Sequence, residues 1–430
     1  MDSTSAVLTV LLAFLALTRP AHALRELHAV STIENESISW IAERGTGTAP
    51  LPLSDPRVAR SVNRLLPDQI HLTYMNASAV TVSWAHLADA KPSVYALIGD
   101  YTYADDYLTD GTVAYTGFPN NTFNSSIPQP IGSYQPRWDS YFRYTQYINS
   151  KVPLIPNHGN HELEPQDNAA YGKNGGLDGG RQFNSYISRI PVPYKGSNSS
   201  SPLWYSVDVG PVHIISLSNY DDFSPGSPQY KFLTQDLAKV DRTKTPWLIA
   251  TWHAPWYSSY TTHYKETECM RQSMETMMYE AGVDVVFNGH LHEYERTNPV
   301  YNYTVNQCGA VHITMGDGGN IEGLYKTFID QPGAGNCPKP NTLPNYQPGP
   351  YCPSFTFDLN NQFAGYCGTK QPGWSAFREP AFGHGLLTFQ NATHALWQWN
   401  RNWDDESVNL DQVYIIRDRT CKNQPSLAVA

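Results

Sequence analysis

Charge is scarce in this chain of 430 residues: only 16% of positions are charged, and no stretch gathers Lys and Arg together. The 29 basic residues are outnumbered by 39 acidic ones, for a net charge of -10. Nucleic-acid binders carry a clustered cationic footprint that neutralises phosphates, so composition argues against that class. Close cysteine pairs are missing as well. Cys269, Cys308, Cys337, Cys352, Cys367 and Cys421 never fall in a Cys-x-x-Cys spacing, which disfavours a thiolate zinc site and favours disulfides in an oxidising compartment. Six cysteines leave about fifteen pairings open. Beyond the N-terminal residues, no apolar run reaches the roughly 18 residues that a membrane helix requires.

The one long apolar run is Ala6 to Leu17, followed by Arg19-Pro20 and then Ala21-His22-Ala23. A small-x-small end to an apolar run predicts an export signal over residues 1–23, although Asp2 stands where a basic residue is usual. The alternative is a buried N-terminal helix. Asn-x-Ser/Thr sequons at Asn35, Asn76, Asn120, Asn124, Asn198, Asn302 and Asn391 agree with a secreted, extracellular glycoprotein. The length suffices for two or three domains with cores of their own.

Between Asp68 and Trp84, apolar Ile70, Leu72, Tyr74 and then Val80, Val82, Trp84 alternate with polar residues around Met75-Asn76-Ala77-Ser78, the pattern of a hairpin. From Val94 onward, short apolar runs alternate with helical stretches. Strands are predicted at Val94 to Ile98, Val152 to Ile155, Val212 to Leu217, Trp247 to Thr251 and Val283 to Phe287. Helices are predicted at Asp139 to Asn149, Gln229 to Val240 and Met270 to Ala281. This alternation predicts an α/β core. Gln331 to Gly373, rich in Pro, Gly and Asn, reads as a long disulfide-tied loop. Gly385 to Phe389 and His394 to Trp399 then supply a closing strand pair.

Asp100, Asn160, His253 and His290 each stand just after a predicted strand, and loops at the carboxyl ends of open α/β sheets converge on a common crevice. Singly, each has an ordinary reading. Gly99-Asp100-Tyr101-Thr102-Tyr103 suits a turn whose Asp caps a helix. Gly159-Asn160-His161-Glu162 suits a loop of satisfied polar groups, and His253, within Trp252-His253-Ala254-Pro255-Trp256-Tyr257, suits a histidine packed among aromatics. Gly289-His290-Leu291-His292 is more telling, because two imidazoles one residue apart suit a borderline transition metal.

The ordered set Gly-Asp-x-x-Tyr, Gly-Asn-His-Glu, a strand-ending His and Gly-His-x-His resembles the purple acid phosphatase family of the calcineurin-like metallophosphoesterase superfamily. The likeness runs from about Ser93 to Asn400 and includes Asn288 to Arg296, Met315-Gly316-Asp317-Gly318-Gly319-Asn320 and Phe382-Gly383-His384-Gly385. It implies an α/β fold, a four-layer α-β-β-α metallophosphoesterase sandwich preceded by a truncated fibronectin-like β segment. The implied divisions are the signal at 1–23, the fibronectin-like segment at 24–85, the catalytic domain at 86–330 and a closing region at 331–430.

The resemblance further implies a two-metal site. Asp100 would bridge the ions; Tyr103 and His292 would bind ferric iron; Asn160, His253 and His290 would bind a divalent zinc, iron or manganese. His161 and His263 would contact the phosphate and protonate the leaving group. Hard oxygen donors suit the trivalent ion, imidazole and amide the divalent one. The implied reaction is hydrolysis of a small phosphate monoester by in-line attack of a metal-bound hydroxide, assisted by a protonated histidine at acidic pH. No membrane span and no nucleic-acid partner are implied, and a homodimer stays open.

One family motif is absent. An Asp-x-Gly, whose aspartate is a ferric ligand, should follow the first core strand, yet only 15 residues separate Trp84 from Asp100 and none forms that motif. Asp89 lies in Leu87-Ala88-Asp89-Ala90-Lys91-Pro92, the expected end of a helix. His158, beside Asn160, is an extra imidazole that competes for a ligand role. The alternatives are therefore an active phosphatase, a phosphodiesterase, pyrophosphatase or phytase on the same site, and a metal-deficient shortened isoform acting as a non-catalytic secreted glycoprotein. A metal-free β-sandwich does not account for the histidine clusters.

Overall fold

The computed structural model of the chain describes residues 92–104, 135–163, 183–316, 323–330, 370–401, 408–417 and 421, together with the strand backbones at 8–13, 72–76 and 79–82. In chain order the strands are β1 (Leu8–Ala13), β2 (Leu72–Asn76), β3 (Ala79–Val82), β4 (Val94–Ile98), β5 (Leu154–Asn157), β6 (Tyr205–Val209), β7 (Val212–Ser216) and β8 (Trp247–Thr251). They continue as β9 (Val285–Asn288), β10 (Tyr294–Thr297), β11 (Val300–Tyr301), β12 (Thr304–Val305), β13 (Val311–Met315), β14 (Ser375–Glu379), β15 (Gly383–Phe389), β16 (His394–Arg401) and β17 (Val408–Ile416). The helices are α1 (Gln135–Asn149), α2 (Asn184–Arg189), α3 (Pro228–Leu237) and α4 (Glu268–Ala281).

Unbroken apolar runs become strands buried on both faces. Every residue of β4, β8 and β9 is buried, as expected of parallel strands covered by helices. Alternating sequence gives one buried face instead, as in β15 and β16. The strands form two large sheets, ordered β17-β16-β15-β1-β4-β5-β2-β3 and β14-β10-β13-β9-β8-β7-β6. Within them β4 runs parallel to β5, and β7, β8, β9 and β13 run parallel to one another.

The sheets meet through aromatic rings. Tyr294 of β10 stacks on Trp399 of β16 at 4.3 Å, Phe287 of β9 lies 5.6 Å from Trp397, and Trp247 of β8 lies 5.2 Å from Phe389. Their polar ends are satisfied: Trp397 Nε1–H donates to the Tyr294 hydroxyl at 2.7 Å, which donates to Asp411 Oδ2 at 2.6 Å. Helices pack outside this core. α1 holds the first sheet through the Tyr95 hydroxyl donating to Asn149 and through Trp138, 6.0 Å from the Tyr101 ring. α3 begins at Ser227, whose side chain accepts from the Tyr230 amide, with Pro228 in the first turn. It lies on the second sheet, where Ser206 Oγ donates to Asp236 Oδ1 at 2.6 Å. α4 stops at Gly282, whose φ of 71° turns the chain left-handed.

The predicted strands and helices are present, displaced by a few residues at their ends; Val152 to Ile155, for example, becomes Leu154–Asn157. The hairpin β2–β3 joins the edge of the first sheet through Thr73 opposite Leu154. The apolar N-terminal run is itself a strand: β1 pairs in parallel with β4, Val10 opposite Val94, and antiparallel with β15, Leu11 opposite Leu386. Cys308 is bridged to Cys421; Cys269 is bridged to a partner outside the described residues. Cys337, Cys352 and Cys367 lie outside them too, as does the loop 331–369. Asn198, Asn302 and Asn391 are exposed, while Asn35, Asn120, Asn124 and the Asn76 side chain lie outside the described residues. No described helix is long and apolar enough to cross a membrane.

Candidate metal centre

The site forms where two sheets end together. β4 and β5 of the first sheet and β8 and β9 of the second all run out into loops that carry Asp100, Asn160 and His161, His253, and His290 and His292 respectively. Two glycines let these loops close on one another. Gly99 has φ +85°, and a Cβ there would collide with His253 and the Gly159 backbone; a Cβ on Gly159 would collide with Asp100. Asp100, Tyr103, His263 and His290 also hold positive φ, a cost of order 1–3 kcal/mol each that clusters at functional sites.

Glu162, fully buried, pins the two loops of the first sheet. Its Oε2 accepts from the Asp100 and Gly159 amides at 2.7 and 2.8 Å, and its Oε1 from the Tyr101 amide at 2.7 Å. Burial, then the charge of Asp100, push its pKa up to about 8 against those amides. Burial would also raise Asp100, but His253, His161 and His290 around it hold it well below the usual carboxylate range.

The imidazole orientations follow from their outer partners. His253 Nδ1 donates to the Ile98 carbonyl at 2.5 Å, so Nε2 presents a lone pair toward Asp100 Oδ2, 2.8 Å away. That nitrogen is buried and has no aligned hydrogen-bond partner. Two acceptors this close repel unless a cation or proton stands between them, so the pair fits a metal ion. His292 Nδ1 donates to the Gly323 carbonyl at 2.9 Å, leaving Nε2 to accept from the Tyr103 hydroxyl at 3.1 Å. His290 lies beside both: its Nδ1 is 3.0 Å from Asn160 Oδ1, and its ring is 5.1 Å from that of His253. Burial holds His290 at a pKa of about 4 and His292 at about 3, neutral and able to ligate over most of the pH range.

The structure thus brings all the sequence-predicted site residues to one crevice. Donor atoms of Asp100, His253 and His290 lie within 4.8 Å of one another. Tyr103 and His292 flank them, the His161 ring lies 3.9 Å from that of Tyr103, and the His263 ring lies 4.1 Å from that of His290. His158 is excluded. Its Nε2 is 2.8 Å from Ser218 Oγ, its ring packs on Phe183 and Tyr186, and burial lowers its pKa to about 3, so it is a packed core histidine. Three participants had no predicted role. Glu162 was visible only as the end of Gly-Asn-His-Glu, and Glu266 only as a carboxylate three residues after His263. Tyr325, stacked on His292 at 4.5 Å and 8°, had no local signal.

The donor set divides unevenly. Asn160, His253, His290 and Asp100 supply the amide, imidazole and carboxylate atoms that suit a divalent ion. Tyr103 and His292 share Asp100, but among the described residues no cluster of three His, Cys, Asp or Glu includes His292. The residues after β1, Phe14 to Arg19, contain no carboxylate either.

The calcineurin-like phosphoesterase family pattern matches residues 71–294, and the iron/zinc purple acid phosphatase-like C-terminal pattern matches residues 358–412. Purple acid phosphatase 15 of Arabidopsis thaliana is 42% identical over 85% of this chain and 64% of its own length. The phosphoenolpyruvate phosphatase of Allium cepa is 34% identical over 80% of this chain and 61% of its own length. Among solved structures, a purple acid phosphatase from yellow lupin (Lupinus luteus) seeds matches with a TM-score of 0.51 and 24% identity, over 77% of this chain and 47% of that one, a likeness of fold. The chain therefore spans less than two thirds of the length of these relatives.

Proposed function

This chain belongs to the calcineurin-like phosphoesterase family, and we propose that it is a secreted acid phosphatase that hydrolyses phosphate monoesters at a dinuclear metal centre. One observation carries the reading: the loops that follow β4, β8 and β9 bring Asp100, His253 and His290 together, with donor atoms within 4.8 Å of one another. Asp100, Tyr103 and His292 would hold ferric iron, and Asp100 with Asn160, His253 and His290 would hold zinc, iron or manganese. The ions supply the Lewis acidity that withdraws charge from a bound phosphate. The remaining chemistry belongs to side chains. His263 Nδ1 is held by Glu266 at 2.6 Å, which leaves Nε2 facing the crevice; in the protonated imidazolium, Nε2–H would give its proton to a leaving alcohol while Nδ1–H stays on Glu266. His161, whose ring lies 3.9 Å from that of Tyr103, would hold a phosphate oxygen. The exposed sequons at Asn198, Asn302 and Asn391 support export.

A second reading is favoured by the missing Asp-x-Gly: a chain that keeps the divalent position alone and serves as a non-catalytic secreted glycoprotein. Metal analysis, a visible spectrum and an aryl phosphate assay on the full chain loaded with ferric iron and zinc separate the two. Two ions per chain, a tyrosinate-to-iron band and turnover support the phosphatase. One ion, no colour and no turnover support the second reading, and a chain that takes up no ion sinks both.

A further inference from the structure

Glu266 is buried, with 7% of its surface exposed, yet it lies on the loop before α4 rather than on any strand that builds the site. One of its oxygens does two things. Oε2 accepts from His263 Nδ1 at 2.6 Å and from His290 Nε2 at 3.0 Å. A single carboxylate oxygen thus ties the imidazole assigned to the divalent ion to the imidazole that faces the crevice. The loop that delivers it is costly: His263 and Lys265 both hold left-handed φ, 52° and 54°, a conformation that persists only where surrounding contacts over-determine it. Those contacts are present. The Glu266 amide donates to the His263 carbonyl at 3.1 Å, the Glu268 amide to the Lys265 carbonyl at 3.2 Å, and Thr267 Oγ1 to the Pro255 carbonyl at 2.5 Å.

Two uses of this triad compete. Donor atoms of His263, Glu266 and His290 also lie within 4.8 Å of one another, close enough for a cation of their own. Against this, His290 has only two nitrogens, and its Nδ1 faces Asn160 Oδ1 at 3.0 Å. With Nδ1 given to the ion beside Asp100, Nε2 keeps its proton and donates it to Glu266. The same logic holds at His263, where the proton sits on Nδ1 and leaves Nε2 to the crevice, 3.4 Å from the Tyr325 hydroxyl. A carboxylate behind a metal-bound imidazole fixes its tautomer and raises its basicity.

We propose that Glu266 is a positioning residue that sets the tautomers of both His290 and His263, coupling the divalent-ion ligand to the leaving-group histidine. The proposal rests on the metal-centre reading above and deepens it. Its test uses the full chain, wild type, E266Q and E266D, with two readouts. The first is zinc affinity of metal-free protein by competition with a chelator, expected to weaken about 10–100-fold in E266Q, with E266D recovering part of the loss. The second is the tautomeric state of the histidine rings by nitrogen NMR in metal-free protein. Wild type should show the Nε2–H form at His290 and the Nδ1–H form at His263, with both rings redistributed in E266Q. Zinc affinity within twofold of wild type together with unchanged tautomers in E266Q would overturn the proposal. Should E266Q not fold, E266D is judged by the same two readouts. A wild-type chain that binds no zinc fails the metal-centre reading, while the ring tautomers still decide whether Glu266 orients the two histidines.

Discussion

At Glu162 a single side chain decides whether two loops stay together. It accepts three backbone amides from the Asp100 and Gly159 turns while wholly buried, so its removal strands three donors away from water. Each stranded donor costs about 1–3 kcal/mol. E162A is therefore expected to lose about 3 kcal/mol or more in urea unfolding, and E162Q most of that, because an amide brings its own N–H groups toward donors. A change within 0.5 kcal/mol for both would refute the clamp. The site was legible at this scale wherever chemistry sits in a short motif, as for His290-Leu291-His292. Glu162, Glu266 and Tyr325 were not legible in their roles, because those roles depend on partners 24 to 62 residues away in sequence, or across an unrelated loop.

The hairpin of β6 and β7 is fastened to α3 by a charged histidine. His213 Nδ1 lies 2.5 Å from Asp208 Oδ1 and Nε2 lies 2.9 Å from Asp236 Oδ2, with 12% of the side chain exposed. Burial works against its charge, but hydrogen bonds to Asp208 and Asp236 outweigh it and raise the pKa to about 9. A folded-state pKa above the unfolded 6.5 means the stabilisation is complete below about pH 6 and disappears as pH climbs through 9. Asp208 is largely exposed, so solvent screening reduces the effect to on the order of 2 kcal/mol. H213Q should therefore melt well below wild type at pH 5 and level with it near pH 9.5, as read by thermal unfolding across pH. A gap that is constant with pH would show that shape, not charge, holds the hairpin. Element type was readable in advance here, since a 2-residue period marks β15 and β16 and unbroken apolar runs mark β4, β8 and β9. Periodicity cannot distinguish an apolar leader from a strand inside a sheet, however, and Leu8–Ala13 satisfies both descriptions.

That ambiguity sets the behaviour of the whole molecule. β1 stands between β4 and β15 and pairs with both, so it is the piece that joins one half of the eight-stranded sheet to the other. Without it, β4 and β15 would face each other across unpaired amides and carbonyls, groups that cost free energy when buried and invite foreign strands when exposed. Cleavage after Ala23 on export and insertion of Leu8–Ala13 into the sheet are mutually exclusive. The Asp100 turn leaves β4 directly, so an open β4 edge also loosens the metal centre. A chain beginning at Leu24 is expected to melt well below the chain beginning at Met1, to lose backbone amide protection at Val94–Ile98, and to bind zinc more weakly. Register gives an independent check: a cysteine pair at Leu11 and Leu386, or at Val10 and Leu387, which lie opposite one another, should cross-link in the longer chain. If the shorter chain melts within about 2 °C of the longer one and neither cysteine pair forms, the N-terminal run acts as a leader alone and the sheet closes by other means.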